Sequence, residues 1–138
     1  MQLFTVKGDF SLSADHTYAG IPYRGVAGET VAFPKACYLN ADGEMHLAKG
    51  DADGTMPAIC IALGAADDGE ACDFLFFGLI RDETWTWTVG GEIYVSGATA
   101  GALTQTIPGS GLFVQPIAIA LTAKILLLIP SLGYVKVP

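Results

Sequence analysis

Short runs in which apolar and polar residues alternate make up most of the chain, and glycine, aspartate or proline residues separate one run from the next. A period of two is typical of β-strands with one buried face, and few segments show the 3.6-residue period of an amphipathic helix. The pattern therefore predicts an all-β protein. We expect a small β-barrel or sandwich, jelly-roll-like, built from two similar antiparallel half-sheets with an extended N-terminal arm or loop.

Turn residues define the predicted strands. Leu3–Val6 and Asp9–Ser13 are expected to form a hairpin across Lys7-Gly8. Residues 15–34 contain several glycines and prolines and predict an extended arm, because proline cannot donate to a β-ladder. The other predicted strands are Ala36–Asn40, Glu44–Ala48, Met56–Leu63, Phe74–Ile80, Thr84–Val89, Ile117–Leu121 and Ile125–Ile129.

The strand pattern occurs twice along the chain. Ile59–Leu63 reads ICIAL and Ile117–Leu121 reads IAIAL, and a tyrosine followed by a glycine precedes each run at similar spacing. This predicts a duplicated unit of about three strands. We expect one β domain over residues 1–138, with a hairpin and arm over 1–35, a first repeat over 36–80 and a second repeat over 84–138.

The duplication predicts what the cysteines do. Cys37 corresponds to Ile93 and Cys60 to Ala118, so both cysteines are expected to pack in the core. Three cysteines without a CxxC pair do not indicate a disulfide framework. In each copy the larger aliphatic residues point to one face and the alanines or Cys60 to the other. That second face carries only small apolar side chains, which favours close contact with another sheet or subunit.

Charge divides the chain into two unlike parts. There are 14 acidic and 7 basic residues, for a formal charge of −7, so a nucleic acid partner is not expected. Residues 1–92 hold all the acids, whereas residues 93–138 hold only Lys124 and Lys136 as charged groups. A stretch with so little charge is either buried on both faces or covered by another molecule.

The run Gly111–Ile129 is apolar and about as long as a membrane-spanning helix. Lys124 would lie within the span at a cost of about 2–3 kcal/mol, and Pro116 interrupts its first third. Two strands joined by a turn at Thr122–Lys124 are the preferred interpretation, and no membrane partner is expected.

No catalytic pattern emerges from the sequence. His16 and His46 are the only histidines; no GxSxG motif accompanies them, and alternation places His46 on the solvent face of its strand. The spacing of Cys37, His46, Cys60 and Cys72 fits no structural zinc pattern. The acidic turns Asp51–Gly54 and Asp67–Glu70 lack the full ligand set of an EF-hand loop. We therefore expect no enzyme activity, no metal and no cofactor.

Trp85 and Trp87 are two residues apart in the run Thr84–Thr88, so one face carries both indoles and the other carries threonines. Burial in the core or in a subunit contact is the preferred interpretation. An aromatic platform for a sugar ligand is the alternative.

The chain resembles capsid decoration, or cement, proteins of tailed phages over roughly residues 20–138. Gly28–Pro34 and the Ala36–Ala48 hairpin are similar to such proteins. A β module common in tailed-phage virion proteins is similar in strand and turn placement to Thr84–Ser96, Gly101–Thr106, Gln115–Leu121 and Pro130–Val135. Related modules also occur in head fibres and tail appendages.

The resemblance implies a virion structural protein that is made in the host bacterial cytoplasm and coats the outside of the capsid. It would associate with itself as a homodimer or homotrimer and bridge subunits of the major capsid protein. The alternative function is a receptor- or glycan-binding module of a head fibre or tail appendage. The residues expected at interfaces are Trp85, Trp87, Ile117, Ile119, Leu121 and Tyr134.

Overall fold

The computed structural model describes residues 17–138, so the predicted hairpin of Leu3–Val6 and Asp9–Ser13 lies outside the described residues. The described chain contains β-strands and one short 3-10 helix, Asp53–Thr55, but no α-helix. The strands are β1 (Tyr18–Val26), β2 (Ala36–Leu39), β3 (Met45–Leu47), β4 (Cys60–Ala62), β5 (Ala71–Arg81), β6 (Glu92–Val95), β7 (Leu103–Thr104), β8 (Phe113–Val114), β9 (Pro116–Ala120), β10 (Ile125–Leu128) and β11 (Val135–Lys136). The predicted all-β class is confirmed: a strongly curled antiparallel sheet forms a half-barrel, and β8 and β11 form a small second sheet.

The long strand β5 organises the main sheet. One edge of β5 pairs along its whole length with β1. The other edge pairs first with β4, at Phe74 and Leu75, and then with β10, from Gly78 to Arg81. The strand order is β3-β2-β4-β5-β10-β9-β6-β7, with β1 branching from β5. Every one of these pairings is antiparallel.

The two segments predicted as repeats have the same order of strand pairing. Residues 36–80 pair in the order β3-β2-β4-β5, and residues 84–138 pair in the order β7-β6-β9-β10. The last strands of the two series, β5 and β10, pair with each other and join the halves into one sheet.

The main core lies between the two halves, on the inner face of the curled sheet. It combines Ile61 and Leu75 from the first half with Ile93, Leu126 and other side chains from the second. A second core lies on the outer face of the first half only. There Cys60 and Phe74 are covered by Ala27 and Val31. The small second face predicted for the first copy is thus covered by the chain's own segment 27–34.

The prediction of an extended arm over residues 15–34 is wrong for Tyr18–Val26, which forms β1. The pairing register shifts between Ile21 and Pro22, so that Phe76 of β5 has no partner residue on β1. The Pro22 nitrogen, which has no hydrogen to donate, lies on the edge of β1 that faces away from β5, which is how a proline is accommodated in an edge strand. Beyond β1, Val31 and Ala66 exchange two backbone hydrogen bonds of 2.9 and 3.1 Å.

Two other predicted strands differ from the structure. The strand predicted over Met56–Leu63 is limited to Cys60–Ala62, because the backbone of Ala58 bonds to the Gln115 side chain instead of a neighbouring strand. Thr84–Val89 belongs to no ladder. The apolar run Gly111–Ile129 forms β8, β9 and β10, and within residues 17–138 no helix is long and apolar enough to cross a membrane.

Candidate interaction surfaces

An apolar surface covers the outer face of four neighbouring strands, β1, β5, β10 and β9. The pairing register places Ala19, Leu79, Leu127 and Ile119 in one row across these strands. Ala19 is buried beside Ile125, and the other three are half-buried. Ile21 and Phe77 form a second pair beside the row and are 41% and 44% exposed. We call these six residues the outer apolar face.

The bulge in β5 explains why this face is so apolar. In a regular strand Phe76 and Phe77 would point to opposite faces. Here Phe76 contacts Tyr23 on the outer side, with 5.3 Å between ring centroids, while Phe77 pairs with Ile21 on the same side. The extra residue also lets Leu75 and Ile80, five positions apart, reach the same inner core. Glu92, beside Ile119, and the Arg81–Glu83 ion pair of 2.9 Å mark the charged border of the face.

Trp85 and Trp87 lie together on the inner side of the sheet. Their ring centroids are 5.7 Å apart, and both side chains are half-buried against the main core. The Lys124 ammonium donates hydrogen bonds to the carbonyl oxygens of Glu83 (2.6 Å) and Trp85 (3.3 Å). The backbone N–H of Trp87 donates to the carbonyl oxygen of Ala123 (2.9 Å). The turn between β9 and β10 therefore holds residues 83–87 against the sheet.

The C-terminal segment forms a separate exposed apolar region. Tyr134 packs edge-on against Phe113 at 5.5 Å, and its hydroxyl donates a hydrogen bond to the Asp53 carboxylate. This bond raises the pKa of Tyr134 above its ordinary value. Leu132 and Val135 on either side of Tyr134 are 72% and 71% exposed.

The six residues predicted at interfaces do not share one environment. Ile117, one of the residues predicted at an interface, is buried in the main core of the chain itself. Ile119 belongs to the outer apolar face, and Leu121 follows it at 45% exposure. Trp85 and Trp87 lie on the inner side of the sheet, and Tyr134 lies in the C-terminal segment, as described above. Sequence reasoning missed Ile21, Phe77 and Leu132 as exposed apolar residues, and only the alternation within β1 could have indicated the first.

His46, which is predicted to lie on the solvent face of its strand, is half-buried and held in place by polar contacts. Its Nδ1 lies 3.3 Å from Glu29 Oε2, and its Nε2 lies 2.8 Å from Asn40 Nδ2. Gly28 packs directly over the ring, since a Cβ at that position would lie 2.2 Å from Nε2. The ring also stacks on Tyr38 at 5.6 Å. These contacts fix the segment over residues 27–29 onto β3.

The three cysteines are free and buried. Cys37 and Cys60 are directly opposite each other on β2 and β4. The hydrogen bond with the Cys37 side chain, together with burial, raises the pKa of Cys60, and burial raises that of Cys72. Within the described residues, no group of three or more His, Cys, Asp or Glu side chains is arranged to hold a metal ion.

The acidic turn Asp67–Glu70 uses its carboxylates for its own structure. Asp67 N–H donates to Glu70 Oε1 at 2.7 Å, and Thr30 donates to Asp67 Oδ1 at 3.2 Å. Asp51 likewise pairs with Lys49 at 2.9 Å. These contacts account for the placement of the Asp67, Glu70 and Asp51 carboxylates.

Comparison with protein-family models found no match to this chain, and comparison with curated proteins found none either.

Proposed function

We propose that this protein is a virion structural protein that decorates and stabilises the outside of a tailed-phage capsid. It associates with itself and bridges subunits of the major capsid protein. The observation that carries the proposal is the surface of the acid-free stretch 93–138. This stretch exposes large apolar side chains that the fold leaves uncovered, namely Ile107, Leu121, Ile129, Leu132 and Val135.

Exposed apolar groups in a segment without acids are typical of a surface that docks on a larger partner. In the first half, by contrast, acids such as Asp42, Asp67 and Asp68 lie in exposed turns, which suits a side that faces water. Binding of many copies to one shell gives a strong total effect even when each contact is modest.

The experiment is a binding assay with undecorated capsids of the phage that carries this gene. Leu132→Asp and Val135→Asp introduce a charge at sites that are already exposed, so the fold should tolerate them. Each is expected to reduce capsid binding at least tenfold. Leu39→Asp, at a 49% exposed position in the first half, is the matched control and should bind normally.

Cosedimentation with capsids measures the bound fraction directly. If the wild-type protein does not bind undecorated capsids, the proposed decoration is contradicted altogether. Equal loss in all three variants would instead contradict the assignment of the docking surface to the C-terminal stretch.

A glycan-binding appendage is the alternative function, and one observation weighs against it. A sugar platform needs an accessible ring face, whereas Trp85 and Trp87 pack on the core. The Trp87 indole nitrogen is buried and has no hydrogen-bond partner among the described residues. Tryptophan emission at short wavelength that acrylamide quenches poorly is therefore expected. Strong quenching that a glycan relieves would favour the alternative.

A further inference from the structure

One edge of β1 is open in the part of the chain that the structure describes. Arg81 N–H donates to Thr17 O, and Ala27 N–H donates to Glu70 O, so the odd-numbered residues of this stretch direct their backbone groups toward β5. The even-numbered residues therefore direct theirs away from the sheet. These are Tyr18, Gly20, Pro22, Arg24 and Val26.

The other ends of the main sheet are short or covered. At β3, the Gly28 N–H donates to Met45 O at 2.8 Å, and Leu47 N–H donates to Glu29 Oε2 at 3.0 Å. At the far end, β7 comprises only Leu103–Thr104. Among the described residues, β1 is thus the one long edge that presents unpaired backbone groups, and such an edge is a template for another strand.

The side chains along β1 are suited to an apolar partner. Tyr18, Ile21, Tyr23 and Val26 are all exposed, and Ile21 continues into the outer apolar face through Phe77. Arg24 is the only charged residue of β1, and its charge is already balanced by Asp73 at 3.0 Å. In a chain of net charge −7, a stretch without acids is where two copies can meet without repulsion.

We propose that two copies of this chain pair through β1, antiparallel and about a two-fold axis, so that their sheets become continuous. The inference deepens the self-association in the proposed function and rests on it only for its role in the virion. Because each chain offers one such edge, the pairing closes at two copies and does not propagate into a fibre.

Pro22 limits the register of this pairing but does not prevent it. With Ile21 opposite its own copy, Pro22 faces Gly20 of the other chain, where no side chain obstructs the proline ring. The amides of Tyr18, Gly20 and Arg24 can then donate across the axis. Tyr18 would lie opposite Arg24, a favourable cation and aromatic pair.

Sedimentation velocity of the full-length protein tests the pairing. The wild type is expected at twice 14.4 kDa. Ile21→Lys and Tyr23→Lys are expected to raise the dimer dissociation constant at least tenfold. Ile21→Lys places two like charges together at the axis, and Tyr23→Lys places a charged side chain opposite the apolar Ala19 of the other copy. Leu39→Lys, at a similarly exposed apolar position (49%) away from β1, is the matched control and should remain dimeric.

Hydrogen exchange of the unmodified protein gives a readout that does not depend on the folding of variants. The amides of Gly20 and Arg24 should exchange more slowly as protein concentration rises, whereas those of Leu132 and Gly133 should not change. A wild-type monomer at all concentrations, or a dimer that both lysine variants leave intact, would overturn the proposal. A monomer that dimerises only after deletion of residues 1–16 would also overturn it, because the chain itself would then occupy the edge.

Capsid binding measured on the same variants separates this inference from the proposed function. If Ile21→Lys is monomeric yet binds capsids, decoration stands without the dimer. If the wild type is a β1-paired dimer that ignores capsids, the dimer stands and decoration fails.

Discussion

Gly20 and Gly78 face each other across β1 and β5, and each backbone fills the space that a side chain on the other would need. A Cβ on Gly20 would lie 2.1 Å from the carbonyl oxygen of Phe77, and a Cβ on Gly78 would lie 2.3 Å from that of Ala19. Gly78 also has a φ of +136°, which other residues rarely adopt. This contact lies next to the bulge at Pro22 and brings β1 close against β5.

Gly78→Ala should destabilise the fold by about 2 kcal/mol or more, because the new methyl group can move away only if the two backbones separate. Thermal unfolding followed by circular dichroism measures the loss. Gly64→Ala is the control: nothing lies within 4 Å of a Cβ there, so its unfolding temperature should stay near that of the wild type. Equal stability of the two variants would show that β1 does not pack as closely as described.

The side-chain amides of Gln115 and Gln105 each form two hydrogen bonds with the backbone of one other residue, but only Gln115 is buried. Gln115 accepts a hydrogen bond from Ala58 N–H (2.8 Å) and donates to Ala58 O (2.7 Å), while Gln105 does the same with Thr88 at 2.8 Å for both bonds. Gln115→Leu would leave the amide and carbonyl of Ala58 buried without partners, at a cost of about 2–4 kcal/mol. Gln105→Leu should cost less than about 1 kcal/mol, because water can replace the exposed amide. Urea unfolding of both variants tests the difference, and similar midpoints would contradict it.

The tautomer of His46 follows from the contacts of Asn40. Asn40 Oδ1 accepts hydrogen bonds from the backbone N–H groups of Asp42 (3.0 Å) and Glu44 (2.9 Å), so its Nδ2 must face His46 Nε2. Nε2 is then an acceptor, and the proton of the neutral ring lies on Nδ1, toward Glu29. Nitrogen NMR of the neutral imidazole should show the Nδ1–H form. Asn40→Asp should move a proton onto Nε2, and an Nε2–H wild type would contradict the arrangement.

The cysteine thiols should be unreactive in the native protein. Their burial, and the raised pKa of Cys60 and Cys72, leave little thiolate at neutral pH, and the thiolate is the reactive form. Because the shifts are upward, raising the pH to 8 or 9 should increase the reaction with Ellman's reagent less than it does for a free thiol. All three thiols should react once the protein is unfolded. Rapid labelling of one thiol in the native state would place that cysteine at the surface.

The sequence alone was sufficient for the fold class and for much of the strand placement. Alternating residues and turn glycines correctly predicted the hairpin of β2 and β3 and the pair β9 and β10, because both depend on local periodicity and short connections. The predicted burial of Cys37 and Cys60 is confirmed as well. These features depend on which residues are apolar and how far apart they are.

Only the tertiary structure decided how residues 15–34 are used and which faces stay uncovered. Pro22 indicated an unpaired arm, but its nitrogen lies on the open edge of β1, so the strand pairs with β5 on its other edge, and which edge faces the partner strand is not visible in the sequence. The alternation of Ile117 and Ile119 placed both on one face, but the pairing of β6 with β9 shifts register at Ile117, so Ile117 is buried in the main core and Ile119 lies on the outer apolar face. Burial depends on what the rest of the chain places against a residue, and local periodicity holds no information about that.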